Sequence, residues 1–344
     1  MSITAKELAK KLNLSEAAIS LALNNKPGVS TKTRKRILEA AKEFGYDLSR
    51  IYPSAESSKT TFCIYLIIYR KNGIDVTDTP FFSQLSEGID FECKQHNYIL
   101  NILFIYEGDD TSHHLNVMKQ NGAKGIILLG TQMQELDISA FSKCPIPIVL
   151  LDNYFEKYDM DCVLINNSKG AFTAADYLIK KIKSQPGYLH SSYPLNNFEE
   201  RANGFYKALN KNGMSSFHSI VHRLSPSVEG AYADMKNLLS QNEPVAECYF
   251  ADNDFIAIGA MRAFKEFGYQ IPQDISIVGF DNIPECNYFT PPITTVNVPS
   301  EYMGQMAVRR LHERITEPQA NFVKIEVSTN LIIRKSTRDV MISV

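Results

Sequence analysis

Apolar residues over 4–44 recur at intervals of three and four, the spacing of one face of an α-helix. Thr4 and Glu7 stand at capping-box spacing, and Leu8 and Leu12 then share a face. Asn13-Leu14 makes a turn. Ser15 caps a second helix from Glu16 to about Leu23, with Ile19, Ala22 and Leu23 inward. Asn24-Asn25-Lys26-Pro27-Gly28 interrupts the pattern. Thr31 to Phe44 forms a third helix through Ile37, Leu38, Ala41 and Phe44, closed by Gly45. Two helices on a short turn with a third behind them make a helix-turn-helix, an outline other three-helix domains share. Residues 47–61 (DLSRIYPSAESSKTT) are polar and Ser-rich, the composition of a linker.

The texture changes at Phe62. Cys63–Tyr69, Tyr98–Tyr106, Gly125–Leu129 and Ile146–Leu151 are nearly unbroken apolar runs, and helical stretches follow the first two, around Phe82–His96 and Thr111–Asn121. Runs without alternation belong to strands buried on both faces, as in parallel sheets. A second series starts near Val163. It predicts helices at Asn167–Ile182, Phe198–Asn212, Val228–Leu239 and Asp254–Phe267, and strands at Gly187–Ser191, His218–His222, Ala246–Ala251 and Ile275–Phe280. Strands alternating with helices give two doubly wound α/β lobes of similar size.

Charge separates head from body. Residues 1–50 hold ten Lys/Arg against five Asp/Glu, a balance of +5, whereas the remaining residues carry −7 within the net −2. A basic head on an acidic body points to a polyanion partner for the head alone. The chain of 344 residues has no run of 18 apolar residues, so a membrane-spanning helix is not expected. Its first twenty residues lack the apolar stretch of a secretory signal. Six cysteines without a CxxC disfavour a disulfide scaffold or zinc ribbon and fit a reducing cytoplasm.

Motifs of one family now stand in order. The segment ITAKELAKKLNLSEAAISLALNNKPGVSTKTRKRILEAAKEFGY resembles the DNA-binding head of the LacI/GalR family. Pro80-Phe81-Phe82 is similar to that family's NPFF, and Arg201 to Phe205 to its RxxGF. Ala251 to Asp254 stands at its AxND, Ile277 to Pro284 is similar to VVGFDDIP, and Thr290 to Val296 to TPPLTTV. Each motif alone is weak; together they span the chain. The resemblance implies an all-α helix-turn-helix head (1–47), a hinge (48–61) and a two-lobed, periplasmic-binding-protein-like body (62–344). The N-lobe is expected over about 62–163 plus 291–320, and the C-lobe over about 164–290 plus 321–338. It further implies a cytoplasmic homodimeric repressor that binds operator DNA and a small-molecule effector, most simply a sugar, without cofactor or metal.

The resemblance also assigns residues. Thr4, Ser15, Ser20, Asn24, Ser30, Thr33, Arg34 and Tyr46 stand at DNA-facing positions of the head. Glu16 and Ala17 occupy the variable base-reading positions, and Leu21 replaces an arginine that could fork onto guanine. The operator is therefore expected to differ from the family's usual one. The hinge departs too: Ser49, Tyr52, Pro53 and Ala55 stand where relatives have an Asn-x-x-Ala-Arg-x-Leu helix. Proline removes an amide there, and Ala55 is too small to wedge a base step.

Carry-over places Phe81, Phe82, Asn153, Arg201, Asn253 and Asp281 at the effector cleft. Aromatic faces, a forked cation and short polar groups suit a sugar. The family also includes purine-responsive members. At two positions such a member would use, this chain has Leu195 and Asn197, without a cation. A further alternative is an effector-binding protein with weakened DNA recognition. An enzyme is disfavoured: GxGxxG after the first strand, GxxxxGK[ST], GxSxG and HExxH are all missing. His218 and His222, on one strand, would lie about 13 Å apart, too far to share a metal ion. Arg334–Val344 carries no leucine heptad for a tetramerising coiled coil.

Overall fold

The computed structural model describes residues 3–23, 28–44, 46, 62–71 and 79–338. Asn24 and the hinge positions Ser49, Tyr52, Pro53 and Ala55 lie outside the described residues. The chain divides into two units, 1–61 and 62–344.

In the first unit, α1 spans Ala5–Leu12, α2 Glu16–Leu23 and α3 Thr31–Glu43. Thr4 closes the capping box with Glu7, accepting from its amide and donating its own amide to Glu7 Oε2 at 2.8 Å. Asn13 ends α1 in the left-handed region, at φ 54°, where asparagine is tolerated. Ser15 Oγ accepts from Ala18 N and Ser30 Oγ from Thr33 N, so α2 and α3 are both capped by serine. Leu8, Ile19, Ala22, Ile37 and Ala41 are fully buried together.

The second unit holds two six-stranded sheets. In the first lobe, β1 (Phe62–Arg70), β2 (Tyr98–Tyr106), β3 (Gly125–Leu129), β4 (Ile148–Leu151) and β5 (Asp161–Ile165) alternate with α4 (Pro80–Gln95), α5 (Thr111–Gln120) and the short α6 (Glu135–Ile138). In the second, β6 (Gly187–Ser191), β7 (Val221–Leu224), β8 (Cys248–Ala251), β9 (Ser276–Asp281) and β10 (Thr294–Asn297) alternate with α7 to α11. Those helices are Asn167–Ile182, Asn196–Lys211, Val228–Ser240, Asp254–Glu266 and Glu285–Tyr288. Then α12 (Ser300–Thr316), β11 (Lys324–Val327) and β12 (Asn330–Ile332) follow. All strand pairs are parallel except β10 with β12.

The lobe boundaries differ from expectation near the C-terminus. β10 pairs with β9 in the second sheet, so Thr294–Asn297 belongs to the C-lobe rather than the N-lobe. β11 pairs with β5 in the first sheet, so Lys324–Val327 belongs to the N-lobe rather than the C-lobe. The chain thus crosses between lobes three times, after β5, after β10 and after β11. The predicted strand at His218–His222 also shifts: Ser216–His218 is a 3-10 turn, and β7 begins at Val221. His222 Nε2 lies 3.2 Å from Tyr249 Oη, a pairing inside the core.

α4 and α12 pack through two glycines. A Cβ at Gly88 would stand 1.9 Å from the carbonyl oxygen of Glu301, and one at Gly304 2.3 Å from that of Leu85. Both obstacles are backbone and cannot turn aside. Gly304→Ala is expected to force the helices apart and cost about 1–3 kcal/mol, read as a lower urea midpoint at unchanged slope. An unchanged midpoint would show that the contact yields.

Candidate functional site

A cavity of about 610 Å³ opens between the lobes. Its walls are the residues that follow β3, β4, β6, β7, β8 and β9, together with the first turns of α4 and α8. This is the carboxyl-end position where open α/β sheets bind ligands. Thr79 caps α4 by accepting from Phe82 N, and Pro80 occupies the first turn, which needs no amide there. That start places Phe81 and Phe82 in the wall, with Tyr193, Phe198 and Phe255 as further aromatic surface.

Arg201, 5 % exposed, is held on three sides. Its Nε donates to Asn167 Oδ1 at 2.9 Å, Nη1 to the carbonyl of Asp252, and Nη2 faces Asp281 Oδ1 at 3.3 Å. The guanidinium lies 3.7 Å over the Phe280 ring. Asp281 adopts φ 109°, sterically costly for a residue with a Cβ. Burial pushes its carboxyl up to about 7; Arg201 pulls it down, while Asp254 and Asp152 push it further up.

Asp152 enters the cavity from the opposite lobe at φ 63°. Its Oδ2 accepts from Thr131 Oγ1 at 2.7 Å. Burial raises this carboxyl to about 6 against the pull of Thr131, Arg201 and Asn197. The site therefore sets two carboxylates against one guanidinium, with Thr131, Ser192, Asn197, Ser225, Ser227 and Asn253 as short polar groups around them.

Five of the six expected cleft residues, Phe81, Phe82, Arg201, Asn253 and Asp281, line this cavity; Asn153 does not. Asn153 Nδ2 donates to the carbonyls of Gly130 and Met133, and its Oδ1 accepts from Tyr154 N and from Asn196 Nδ2 at 3.0 Å. It is a strut between lobes, and its neighbour Asp152 faces the cavity instead. Asp152, Thr131 and the serines after β7 were not anticipated. For Asp152 a signal existed: like Asp281, it follows a fully buried strand. Leu195 and Asn197 both line the wall.

In the head, Glu16, Ala17 and Ser20 are exposed on α2, while Leu21 is half-buried and would meet a Cβ at Gly28 at 3.0 Å. Arg34 Nη1 donates to the carbonyls of Leu21 and Ala22, satisfying the C-terminal end of α2. Ser30 and Thr33 share a hydroxyl bond of 2.8 Å, and Tyr46 packs half-buried against the head core.

A helix-turn-helix head with a two-lobed body and a cleft at its strand ends defines a ligand-responsive DNA-binding regulator. Comparison with known proteins agrees. Residues 4–48 match the model for bacterial regulatory proteins of the lacI family, and residues 175–337 the periplasmic binding protein-like domain. The chain is 28% identical over 342 residues to the HTH-type transcriptional repressor PurR of Mannheimia succiniciproducens, covering 98% of this chain and 99% of that one. It is 29% identical to the protein of the same name from Edwardsiella ictaluri, covering 98% and 97%. Among solved structures, a LacI family transcriptional regulator from Enterococcus faecium with bound ribose superposes with a TM-score of 0.68 at 26% identity, over 81% of this chain and 99% of that one. The lac repressor dimer bound to operator and an anti-inducer shares the fold, with a TM-score of 0.71 at 20% identity over 98% and 99%. The head carries the lacI-family match, and the chain is a LacI-type DNA-binding transcriptional repressor with an effector-binding body.

Proposed function

We propose that the repressor responds to a neutral sugar bound in the interlobe cavity. The observation that carries this reading is the meeting of Arg201, Asp281 and Asp152 between aromatic walls. A guanidinium fork and two carboxylates engage several hydroxyls, while Phe81 and Phe82 offer flat apolar faces to ring C–H groups. Two acids against one base disfavour a phosphorylated sugar. The ribose-bound relative supports the same class. A purine is the second reading, supported by five aromatic side chains in the wall and by the name PurR on the curated relatives. Calorimetry with D-ribose, cellobiose, ribose 5-phosphate and guanine tests the choice. Binding of guanine or the phosphate alone overturns the sugar reading.

Sugar hydroxyls that donate to Asp152 and Asp281 favour their ionised forms. Sugar affinity is therefore expected to rise with pH from about 6 to about 8, with protons released on binding. A flat profile across that window would mean that neither carboxylate accepts from the ligand.

On DNA, Glu16, Ala17 and Leu21 are proposed to meet base edges, with Ser20 beside them on a phosphate. Thr4, Ser15, Asn24, Ser30, Thr33, Arg34 and Tyr46 then set the register on phosphates. The body is proposed to form a homodimer, supported by Ile99, Ile102, Phe104 and Tyr106 exposed along edge strand β2. Duplex affinity should fall steeply with salt as each head releases counterions. An affinity indifferent to salt, with a monomer on sedimentation, would sink this part.

A further inference from the structure

Behind the cavity wall lies a buried polar cluster that ligand contact does not use. Asp252 is fully buried at the end of β8. Its carboxylate accepts from Tyr188 Oη, from Ser191 N at 2.7 Å and from His190 Nδ1 at 2.6 Å. Tyr188, His190, Ser191 and Asp252 do not line the cavity. Their neighbours do: Ser192 and Tyr193 follow Ser191, and Asn253 follows Asp252. The Asp252 side chain thus ties the end of β6 to the end of β8, while its backbone carbonyl receives Arg201 Nη1.

His190 completes this tie. Its ring stacks on Tyr188 at 4.9 Å, and Nε2 lies 3.8 Å from Glu199 of α8, two residues before Arg201. Arg223 of β7 stands at the paired register position and donates to the Ser191 carbonyl. A buried carboxylate that loses one of its donors must reorganise, because an unpaired charge is costly away from water. Here the carboxylate that His190 holds and the carbonyl that receives Arg201 belong to one residue, Asp252.

We propose that His190 and Asp252 form a positioning pair that sets the orientation of Arg201 in the effector cavity. The inference rests on Arg201 being a ligand contact, as proposed above. Its test begins without ligand. The Nε–Hε cross-peak of Arg201 in a ¹⁵N spectrum, assigned by its loss in Arg201→Lys, reports the guanidinium's surroundings directly. In His190→Leu that peak should shift or broaden. In His190→Asn, whose Nδ2 replaces the Nδ1 donor, it should return towards wild type. D-ribose affinity should fall about tenfold in His190→Leu, the scale of one charge-assisted hydrogen bond, and recover in His190→Asn. Asp252→Asn, nearly isosteric, serves if His190→Leu fails to fold, and should move the same peak. An unmoved Arg201 peak in His190→Leu, or in Asp252→Asn where that variant is the one that folds, overturns the proposal. Absence of D-ribose binding to the wild type, with the peak moving as described, counts against the sugar reading and leaves the positioning pair supported.

Discussion

Replacing Asp161 by alanine will destabilise the protein by about 3–5 kcal/mol, the scale for breaking a buried ion pair by removing one partner. Asp161 is fully buried at the start of β5. It accepts from Arg310 Nε at 2.7 Å, Arg314 Nε at 2.8 Å and Val323 N at 2.9 Å. The two arginines are almost as buried, and they spend their other donors on the carbonyls of Pro318, Ala320 and Asn321. Without the aspartate, two guanidinium groups are left in the interior with Glu313 alone as an ionic partner, on Arg310 at 2.7 Å. The turn after α12 then loses its anchor, and β11 is delivered less accurately to the edge of β5. Equilibrium urea unfolding is the measurement. Asp161→Asn keeps the shape but not the charge and should fall between wild type and alanine. A loss below about 1 kcal/mol for the alanine variant would mean that water reaches the arginines.

Arg201→Ala should weaken D-ribose binding by about 2–4 kcal/mol, since a desolvated, charge-assisted contact is lost. Arg201→Lys should restore little, because one ammonium cannot donate at once towards Asn167, the Asp252 carbonyl and Asp281 along the directions the fork uses. The alanine variant carries a second signature. Asp281 and Asp152 would then face each other without a cation, so the Asp281 carboxyl should climb further above about 7. A carboxyl raised in the folded state favours folding below its unfolded value, and this contribution is lost as pH rises through the folded one. The variant should therefore lose more stability between pH 6 and 8 than the wild type. Ribose affinity untouched in both variants would place the ligand elsewhere.

Much of the fold was legible because buried parallel strands leave continuous apolar runs. CIYLIIY, GIILL and ISIVGF each fall on a strand or its core. Lobe membership near the C-terminus was not legible. TTVN and KIEV are four-residue strands with no distinctive pattern; TTVN joins the strand just before it, β9, whereas KIEV joins β5, far away in sequence. His218–His222 was expected as a strand, yet His218 belongs to a 3-10 turn and the strand begins at Val221. At the site, the motif residues Arg201, Asn253, Asp281 and both phenylalanines fall on the wall of one interlobe cavity. That Asp152 lines the cavity where Asn153 was expected has a local cause. The backbone turns left-handed at Asp152 as it leaves β4, which sends that side chain to the cavity and the next one into the lobe seam. No periodicity announces such a turn.

The triple crossover has a consequence for how the chain is made. Strand β5 is exposed to its β11 partner only once residues 324–327 have been synthesised, and α4 receives α12 only after residue 300. Neither lobe is a contiguous stretch of chain, so vectorial synthesis cannot finish one before starting the other. A polypeptide interrupted near residue 320 already carries α12 for α4 but presents the open edge of β5, an invitation to aggregation or proteolysis.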